Sequence, residues 1–106
     1  MVCEYDKDKK ELVIKYDGEI DHHTCDIIKV KSDYEIQKYS PKLVIFDFEK
    51  VKFMDSSGIG MLLGRYKQIL RVGGRAEMIN VKKEVKRVFE MSGIFKIIPM
   101  VEKVGV

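Results

Sequence analysis

The sequence predicts an α/β fold in which a mixed sheet of four to five strands packs against three or more helices. Strand-like segments, with two-residue apolar alternation or short apolar runs, are separated by segments with three- and four-residue apolar spacing. The first two strand-like segments flank a short polar turn, which indicates an antiparallel hairpin. Each later strand follows a helix, and such crossovers require parallel pairing. The chain has 106 residues, which is the length of a single domain over residues 1–106.

A hairpin and then a helix are predicted for the N-terminal part of the chain. Residues 2–5 and 11–17 are the hairpin strands, and Gly18 ends the second one. Asp21 is a suitable N-cap for a helix that the Ser-Pro pair at 40–41 stops. We expect the one polar member of its apolar stripe to bond to a backbone carbonyl one turn earlier. The stripe consists of Cys25, Ile28, Ser32 and Ile36.

Strands and helices continue to alternate in the rest of the chain. The near-continuous apolar run at 43–48 is typical of a strand that is covered on both faces. Pro99 restricts the last strand to a sheet edge, because proline cannot donate to a ladder. The predicted elements are a strand at 43–48, a helix at about 57–72, a strand at 75–81, a helix at about 82–92 and a short edge strand at 97–101.

Composition argues against several classes of function. No apolar run approaches the roughly 20 residues of a membrane span, and the N-terminus lacks a secretory signal, so we expect a cytoplasmic protein without membrane contact. A net charge of +3 is too small to indicate nucleic-acid binding. Cys3 and Cys25 have no metal-ligand or dense disulfide spacing and are expected to be reduced. Solvated helix faces are expected for the basic residues Arg65, Lys67, Arg71, Arg75, Lys82, Lys83, Lys86 and Arg87.

The most informative motif is Asp55-Ser56-Ser57-Gly58, which lies between a strand and a strongly periodic helical pattern. A helix N-terminus has unpaired N–H groups and the positive end of the helix dipole. This position suits an N-cap serine, and it also suits a phosphate group. Two interpretations follow: a capped helix, or a serine whose phosphorylation switches a partner-binding surface.

Catalytic, nucleotide and metal sites are not expected. A nucleophilic serine needs a nearby base, and the chain has only His22 and His23, far from the motif in sequence. Gly58, Gly60 and Gly64 do not fit the G-x-G-x-x-G spacing, and a P-loop lysine is missing, so we expect no cofactor. The two histidines point about 100° apart on a helix and do not readily share an ion.

Gly60 and Gly64 lie four residues apart and therefore share a face of the predicted helix. Each costs the helix about 0.5–1 kcal/mol relative to alanine, so some close approach should compensate. One interpretation is internal packing, and the other is a partner that docks flat on this face next to Ser56. Met61 is predicted to lie on the same face, away from the core stripe. That stripe consists of Ile59, Leu62, Leu63, Tyr66, Ile69 and Leu70.

Four segments together give the chain a family resemblance. Phe53-Met-Asp-Ser-Ser-Gly-Ile-Gly, Leu63-Gly-Arg-Tyr-Lys-Gln-Ile, Gly18-Glu-Ile-Asp-His-His-Thr and Met91-Ser-Gly-Ile-Phe-Lys-Ile-Ile resemble the STAS domain of anti-sigma factor antagonists. The chain is most similar to the subgroup in endospore-forming bacteria that acts on the anti-sigma F factor. The resemblance covers nearly the whole chain and departs at 104–106, where a terminal helix is expected to be short or absent.

This resemblance implies a regulatory binding protein rather than an enzyme. In the family, the unphosphorylated protein binds an anti-sigma factor and frees the sigma factor, here sigma F. The anti-sigma factor is a serine kinase that phosphorylates the first serine of the motif, which is Ser56, and a phosphatase reverses the modification. Ser57 is the neighbouring hydroxyl that is not the usual target. Asp21 and His22 belong to the other partner-facing loop.

The expected docking surface combines the motif, the second loop and the glycine face. A phosphate should break the complex without unfolding the protein, because a helix N-terminus tolerates it while an interface without a cation does not. The competing interpretation is a STAS module that binds a small ligand or nucleotide, or that acts as a stress-signalling scaffold. The expected partner-binding residues are Asp21, His22, Asp55, Ser56, Ser57, Ile59, Gly60, Met61 and Gly64.

Overall fold

A computed structural model of the chain describes residues 1–102, which form one four-stranded sheet with three helices. Strand order follows sequence order, with the first pair antiparallel and the next two pairs parallel. The predicted mixed sheet is confirmed. None of the described helices is long and apolar enough to cross a bilayer. The elements are β1 (Val2–Asp6), β2 (Glu11–Ile20), α1 (Cys25–Tyr39), β3 (Leu43–Met54), α2 (Ser56–Arg71), β4 (Arg75–Ile79), α3 (Lys83–Ser92) and a 3₁₀ turn at Ile94–Lys96.

Strands β2 and β3 both extend beyond their predicted ends. Gly18 does not end β2: it has a φ of +69° and lies at a shift in the register between β2 and β3. It therefore forms a bulge within the strand. As a result Ile20 pairs with Met54, and the two strands end together at the carboxyl edge of the sheet. Strand β4 is shorter than predicted, because Asn80 turns the chain with a φ of +58°.

All three helices lie on one face of the sheet. The Tyr16 hydroxyl on β2 is 3.3 Å from the Ser32 hydroxyl on α1. Phe48 projects from the same face of β3 and packs edge-on against Phe89 of α3, with ring centroids 5.2 Å apart. The prediction that β3 is covered on both faces is wrong for the layers, because all three helices pack on one face. On the other face Ile45 is partly buried, whereas Leu43 and Asp47 are buried.

Two polar side chains lie in the core although the sequence predicted other surroundings. The Ser32 hydroxyl does not bond to a carbonyl one turn earlier; it contacts the Tyr16 hydroxyl and, at 3.7 Å, the Met1 sulfur. Arg65 is not part of a solvated basic face: it is 6% exposed, and its Nε lies 2.7 Å from Oδ1 of Asp33 on α1. Both partners come from other elements, which helical spacing alone does not identify.

The buried arc of α2 is rotated relative to the predicted stripe. Met61 was expected on an exposed face but is 6% exposed, and its sulfur lies 3.9 Å from the Tyr16 hydroxyl. Leu70, predicted to be in the stripe, is 51% exposed. The rotation arises because α2 packs against α1 on one side as well as against the sheet below. The buried residues of the helix are Gly58, Met61, Leu62, Arg65 and Ile69.

The predicted edge strand at 97–101 is wrong. After the 3₁₀ turn the chain meets β4 only through an isolated bridge. The Met78 N–H donates to the Pro99 carbonyl at 2.9 Å, and the Val101 N–H donates to the Met78 carbonyl at 2.8 Å. Pro99 has no N–H to extend this pairing into a ladder. The expectation about a terminal helix at 104–106 lies outside the described residues.

Candidate functional site

Two loops of the chain meet at the carboxyl edge of the sheet. One follows β2 and begins at Asp21; the other follows β3 and begins at Asp55. The Asp55 N–H donates to the Ile20 carbonyl at 3.2 Å, which ties the second loop to the end of β2. The edge where parallel strands end is where α/β folds commonly place binding sites. The structure therefore brings together the Asp21 and Asp55 segments, which are separate in the sequence.

Asp55, and not a serine, caps α2. Its backbone is extended, its Oδ1 accepts the Ser57 N–H at 2.8 Å, and its carbonyl accepts the Gly58 N–H at 3.0 Å. Neither serine hydroxyl is therefore needed as the cap. Ser56 is the first residue of α2 and is exposed, whereas Ser57 is partly buried. Ser56 is therefore the more accessible of the two serines.

The Asp21 loop is held by reciprocal hydrogen bonds. Oδ1 of Asp21 accepts the N–H groups of His23 at 2.9 Å and Thr24 at 3.1 Å. Thr24 Oγ1 accepts the Asp21 N–H at 3.0 Å and donates to the Glu19 carbonyl at 3.0 Å. Asp21 thus caps a turn, and α1 begins later than predicted, at Cys25. Desolvation opposes ionisation of the Asp21 carboxyl, but the Thr24 and His23 N–H groups outweigh it and lower its pKa.

Cys25 is a residue of this site that the sequence reasoning missed. It is partly buried between the two loops. Burial raises the pKa of the Cys25 thiol, and the carboxylates of Asp55, Asp21 and Asp26 raise it further. The thiol is therefore kept protonated, with three carboxylates close to it. The sequence does contain a signal for Cys25, which lies four residues after Asp21 and on the apolar stripe of α1.

Phe53 is a second residue whose position the sequence did not reveal. Met54 points into the core, so Phe53 points to the opposite side of β3, where it is 50% exposed. It stands opposite Glu19 of β2, two residues before Asp55. An exposed aromatic ring beside a recognition loop is a common anchor for partner proteins. The predicted residue His22 is also exposed, and its ring lies 3.9 Å from that of His23.

The glycines of the motif have two different structural roles. A Cβ atom on Gly58 would lie 2.7 Å from Cγ of Met54, so this glycine permits close packing in the core. A Cβ atom on Gly60 or Gly64 would meet nothing within 4 Å. Internal packing, one of the two interpretations for Gly60 and Gly64, is therefore wrong. The open space is compatible with the other interpretation, a partner that docks on this face. Ile59 lies beside the two glycines and is partly buried.

A hollow of about 230 Å³ between β2 and α1 is relevant to the small-ligand interpretation. Its lining includes Tyr16, His23 and Ile27 but neither Asp55 nor Ser56. Sites that enclose drug-sized ligands are generally about 300–1,000 Å³. This hollow is therefore too small to enclose a nucleotide, and it is separate from the Ser56 edge.

Comparisons with known proteins agree with this architecture. The family model described as the STAS domain matches residues 3–106. An anti-sigma F factor antagonist of Paenibacillus polymyxa is 40% identical over 89 residues, which cover 84% of this chain and 76% of the relative. The solved anti-sigma factor antagonist SpoIIAA in its unphosphorylated form superposes with a TM-score of 0.77 at 34% identity, covering 91% of this chain and 82% of that one. The Bacillus cell fate determinant SpoIIAA in the phosphorylated form gives 0.68 at 33% identity, with 91% and 85% covered.

Proposed function

The chain belongs to the STAS domain family, and we propose that it is an anti-sigma factor antagonist controlled by phosphorylation of Ser56. It is a regulatory binding protein and not an enzyme. In its unphosphorylated form it binds an anti-sigma factor that is also a serine kinase, and so releases a sporulation sigma factor, sigma F, in the cytoplasm. A serine phosphatase restores the binding form. The relative from Paenibacillus polymyxa and the two SpoIIAA structures support this proposal by similarity.

The exposure of Ser56 at the start of α2 is the observation that carries the proposal. A kinase must reach the hydroxyl without unfolding the helix, and Ser56 is the exposed member of the serine pair. Ser57 is less suitable, because it is partly buried. A phosphate at a helix N-terminus is stabilised by about 0.3–1 kcal/mol, so the modified protein should stay folded.

The same phosphate is incompatible with a tight interface. It adds about −1.5 to −2 charges at neutral pH. Asp55 precedes Ser56 directly, and Asp21 lies in the adjoining loop, so the added charge meets like charges at this edge. Burying it against a partner costs several kcal/mol of desolvation, and each 1.4 kcal/mol is about tenfold in affinity. Phosphorylation therefore dissociates the complex.

The first test is to incubate the protein with its anti-sigma kinase and ATP and to map the phosphate by mass spectrometry. We expect one phosphate, on Ser56. Phosphate on Ser57 instead, or no phosphate at all, would contradict the proposal.

A second test separates charge from size. Ser56→Asp and Ser56→Asn place side chains of nearly equal volume at the same position, and only the first is charged. We expect Ser56→Asp to bind the kinase–ADP complex at least about tenfold more weakly than Ser56→Asn. Calorimetry measures both affinities, with Ser56→Ala as the small neutral reference. Equal affinity of the two larger variants would overturn the charge argument.

A further inference from the structure

The edge strand β1 and the adjacent side of α1 form a surface apart from Ser56, and we infer that this surface binds a second copy of the chain. In this symmetric dimer β1 pairs antiparallel with β1 of the second copy, and the two α1 helices pack side by side above the paired strands. The surface, called the α1–β1 side below, consists of the free edge of β1 and of Ile27, Lys31, Tyr34 and Glu35 on α1. Strand pairing, shape and charge each support the second copy as its occupant.

β1 has one side that is open to pairing. Within residues 1–102 it pairs only with β2, and it is the first strand in the order of the sheet. Alternate N–H and C=O groups of an edge strand point away from the sheet and can pair with another strand. β1 contains no proline, which would remove a donor from such a pairing. The strand can therefore extend the sheet beyond its present edge.

The helix above this edge leaves apolar surface uncovered. Two hollows lie along the α1–β1 side, the one of about 230 Å³ described above and a second of about 390 Å³. Met1 and Lys31 line both hollows, so the two are adjacent, and Cys3 and Tyr34 also line the second. Ile27 and Tyr34 are each 62% exposed. Contiguous exposed apolar surface of this kind marks a protein interaction site.

An added strand alone would cover only part of this surface. It would satisfy the backbone groups of β1, but it would lie in the plane of the sheet, below Ile27 and Tyr34. The occupant must therefore carry a strand with a helix beside it on the same face, and this chain has that arrangement itself. A two-fold axis perpendicular to the sheet pairs β1 with its copy and keeps both α1 helices on the same face.

The position of α1 allows the two helices to touch. The Tyr39 ring of α1 stacks on Tyr5 of β1 with ring centroids 4.1 Å apart, and Ser32 contacts Tyr16 of β2, so α1 lies above both strands. Because neighbouring strands are about 4.8 Å apart, α1 lies about 5 Å from the two-fold axis and about 10 Å from the second α1. Packed helices are separated by about 8–10 Å. Strand pairing and helix packing are therefore compatible in one dimer.

Charge specifies the register of the two copies. Lys31 and Glu35 are one turn apart on α1, and both line the hollow that contains Cys3 of β1. A two-fold axis at the level of Cys3 places Lys31 of each copy opposite Glu35 of the other. The antiparallel helices then form two reciprocal ion pairs. This pattern is self-complementary, as a symmetric interface between identical chains requires.

The contact is small, so the dimer should be weak. It uses a five-residue strand and one side of a helix that has 15 residues and is about 22 Å long. Such an area is below the roughly 1,600 Å² of a standard interface, and we expect a dissociation constant of about 10–100 μM. Ser56 lies at the start of α2, at the carboxyl edge of the sheet, so it stays accessible in the dimer.

The test is sedimentation velocity of the wild type and of charge-swap variants from about 1 to about 500 μM protein. The wild type should shift from monomer to dimer over this range. Lys31→Glu and Glu35→Lys each place like charges opposite one another and should weaken the dimer by about tenfold or more. The double variant restores opposite charges and should recover to within about threefold of wild type. The matched control is Leu70→Lys, an exposed leucine on α2, which should not change the dimer.

Three outcomes overturn the inference. The first is a wild type that stays monomeric at the highest concentration, and the second is a double variant that dimerises as weakly as the single ones. The third is a dimer in which hydrogen exchange at Val2–Asp6 is as fast as in the monomer, because pairing of β1 must protect its amides. Phosphorylation of Ser56 is measured on the same variants and should be unchanged. Its failure in the wild type removes the proposed function and leaves the dimer standing.

Discussion

The two halves of the α1–α2 pair are built in opposite ways. In the C-terminal half, Arg65 and Gln68 reach across to Asp33 and close the space between the helices. In the N-terminal half, Gly60 and Gly64 carry no side chain that could reach across, and a Cβ atom on either would meet nothing within 4 Å, so this end is open. The same helix pair therefore anchors the fold at one end and presents a surface at the other. Mutations at the closed end should change stability, whereas mutations at the open end should change binding.

The closed half offers the largest predicted effect. Arg65 Nε is 2.7 Å from Asp33 Oδ1, but the N–H directions do not give hydrogen bonds, and Nη1 is buried without a partner in the described structure. Asp33→Ala leaves this buried cation without a counter-charge. We expect a loss of about 2–4 kcal/mol in unfolding free energy, less than for a fully buried pair because Asp33 is about one third exposed. Urea denaturation measures it.

The control for this prediction is Asp26→Ala, an exposed carboxylate on the same helix. It should change stability by less than about 0.5 kcal/mol. The double variant Asp33→Ala with Arg65→Met should recover most of the loss, because an apolar side chain in that site needs no counter-charge. If the double variant is as unstable as Asp33→Ala, the buried cation is not the cause.

The glycines of α2 provide the second prediction. Gly58→Ala places a Cβ 2.7 Å from Cγ of the buried Met54, so we expect a loss of about 1–3 kcal/mol despite better helix propensity. Gly60→Ala, two residues along the same helix, meets nothing and should gain about 0.5–1 kcal/mol. Thermal or urea unfolding of the pair gives both signs. Equal effects in the two variants would remove the distinction between a packed and an open glycine.

The sequence predicted the parts of this comparison that depend on local pattern. Strand–helix alternation gave the mixed sheet, and the position of Ser56 at a helix start followed from the change in periodicity after β3. Helical spacing also placed Gly60 and Gly64 on one face. Each of these features depends on residues within a few positions of one another, so it is visible without tertiary contacts.

The features that the sequence did not reveal depend on contacts between elements. Met61 lies in the core because α1 packs beside it, and Ser32 bonds across to Tyr16 rather than within its helix. Arg65 is buried because α1 supplies Asp33. The sequence predicts Gly18 as a strand end because a glycine bulge and a glycine turn have the same local signature. The sequence does not show which residues of different helices and strands contact one another, and the intrinsic preference of each segment for helix or strand does not supply that information.

The third prediction concerns Tyr16, which lies beneath the boundary between the two halves. Tyr16→Phe removes a buried hydroxyl in contact with Ser32, and we expect a loss of about 0.5–1.5 kcal/mol near pH 8. Burial raises the pKa of the Tyr16 hydroxyl well above its ordinary value, against the opposing effect of the Ser32 hydrogen bond. A folded-state pKa above the unfolded one contributes stability that is present below about pH 10 and is lost as the pH rises further.

The stability gap between wild type and Tyr16→Phe should therefore shrink, or reverse, between about pH 8 and pH 11 in urea denaturation. Cys3, whose pKa burial raises to about 11, is present in both proteins, so only its electrostatic interaction with the Tyr16 hydroxyl differs between them. A gap that widens with pH would mean that the folded protein favours the ionised hydroxyl, contrary to its burial.

The smallest predicted effect on stability lies in the Asp21 loop, at the open end. Asp21→Asn keeps an oxygen for the His23 and Thr24 N–H groups but loses the charge that strengthens those bonds. Because the pKa of Asp21 is lowered in the folded state, its carboxylate contributes stability above its unfolded pKa that is lost as the pH falls through the folded pKa. The difference in Tm between wild type and Asp21→Asn should therefore be positive at about pH 7 and smaller at about pH 3.

Asp26→Asn is the matched control for Asp21→Asn, since Asp26 is an exposed carboxylate in the first turn of α1, close to the same loop. Its Tm difference from wild type should change less over the same pH range. The Asp21 bonds are local to one turn, so this variant should reduce affinity for the anti-sigma factor more than it reduces stability. An Asp21→Asn protein that loses stability in proportion to binding would show that the open end also anchors the fold, and the division between the two halves of the helix pair would then fail.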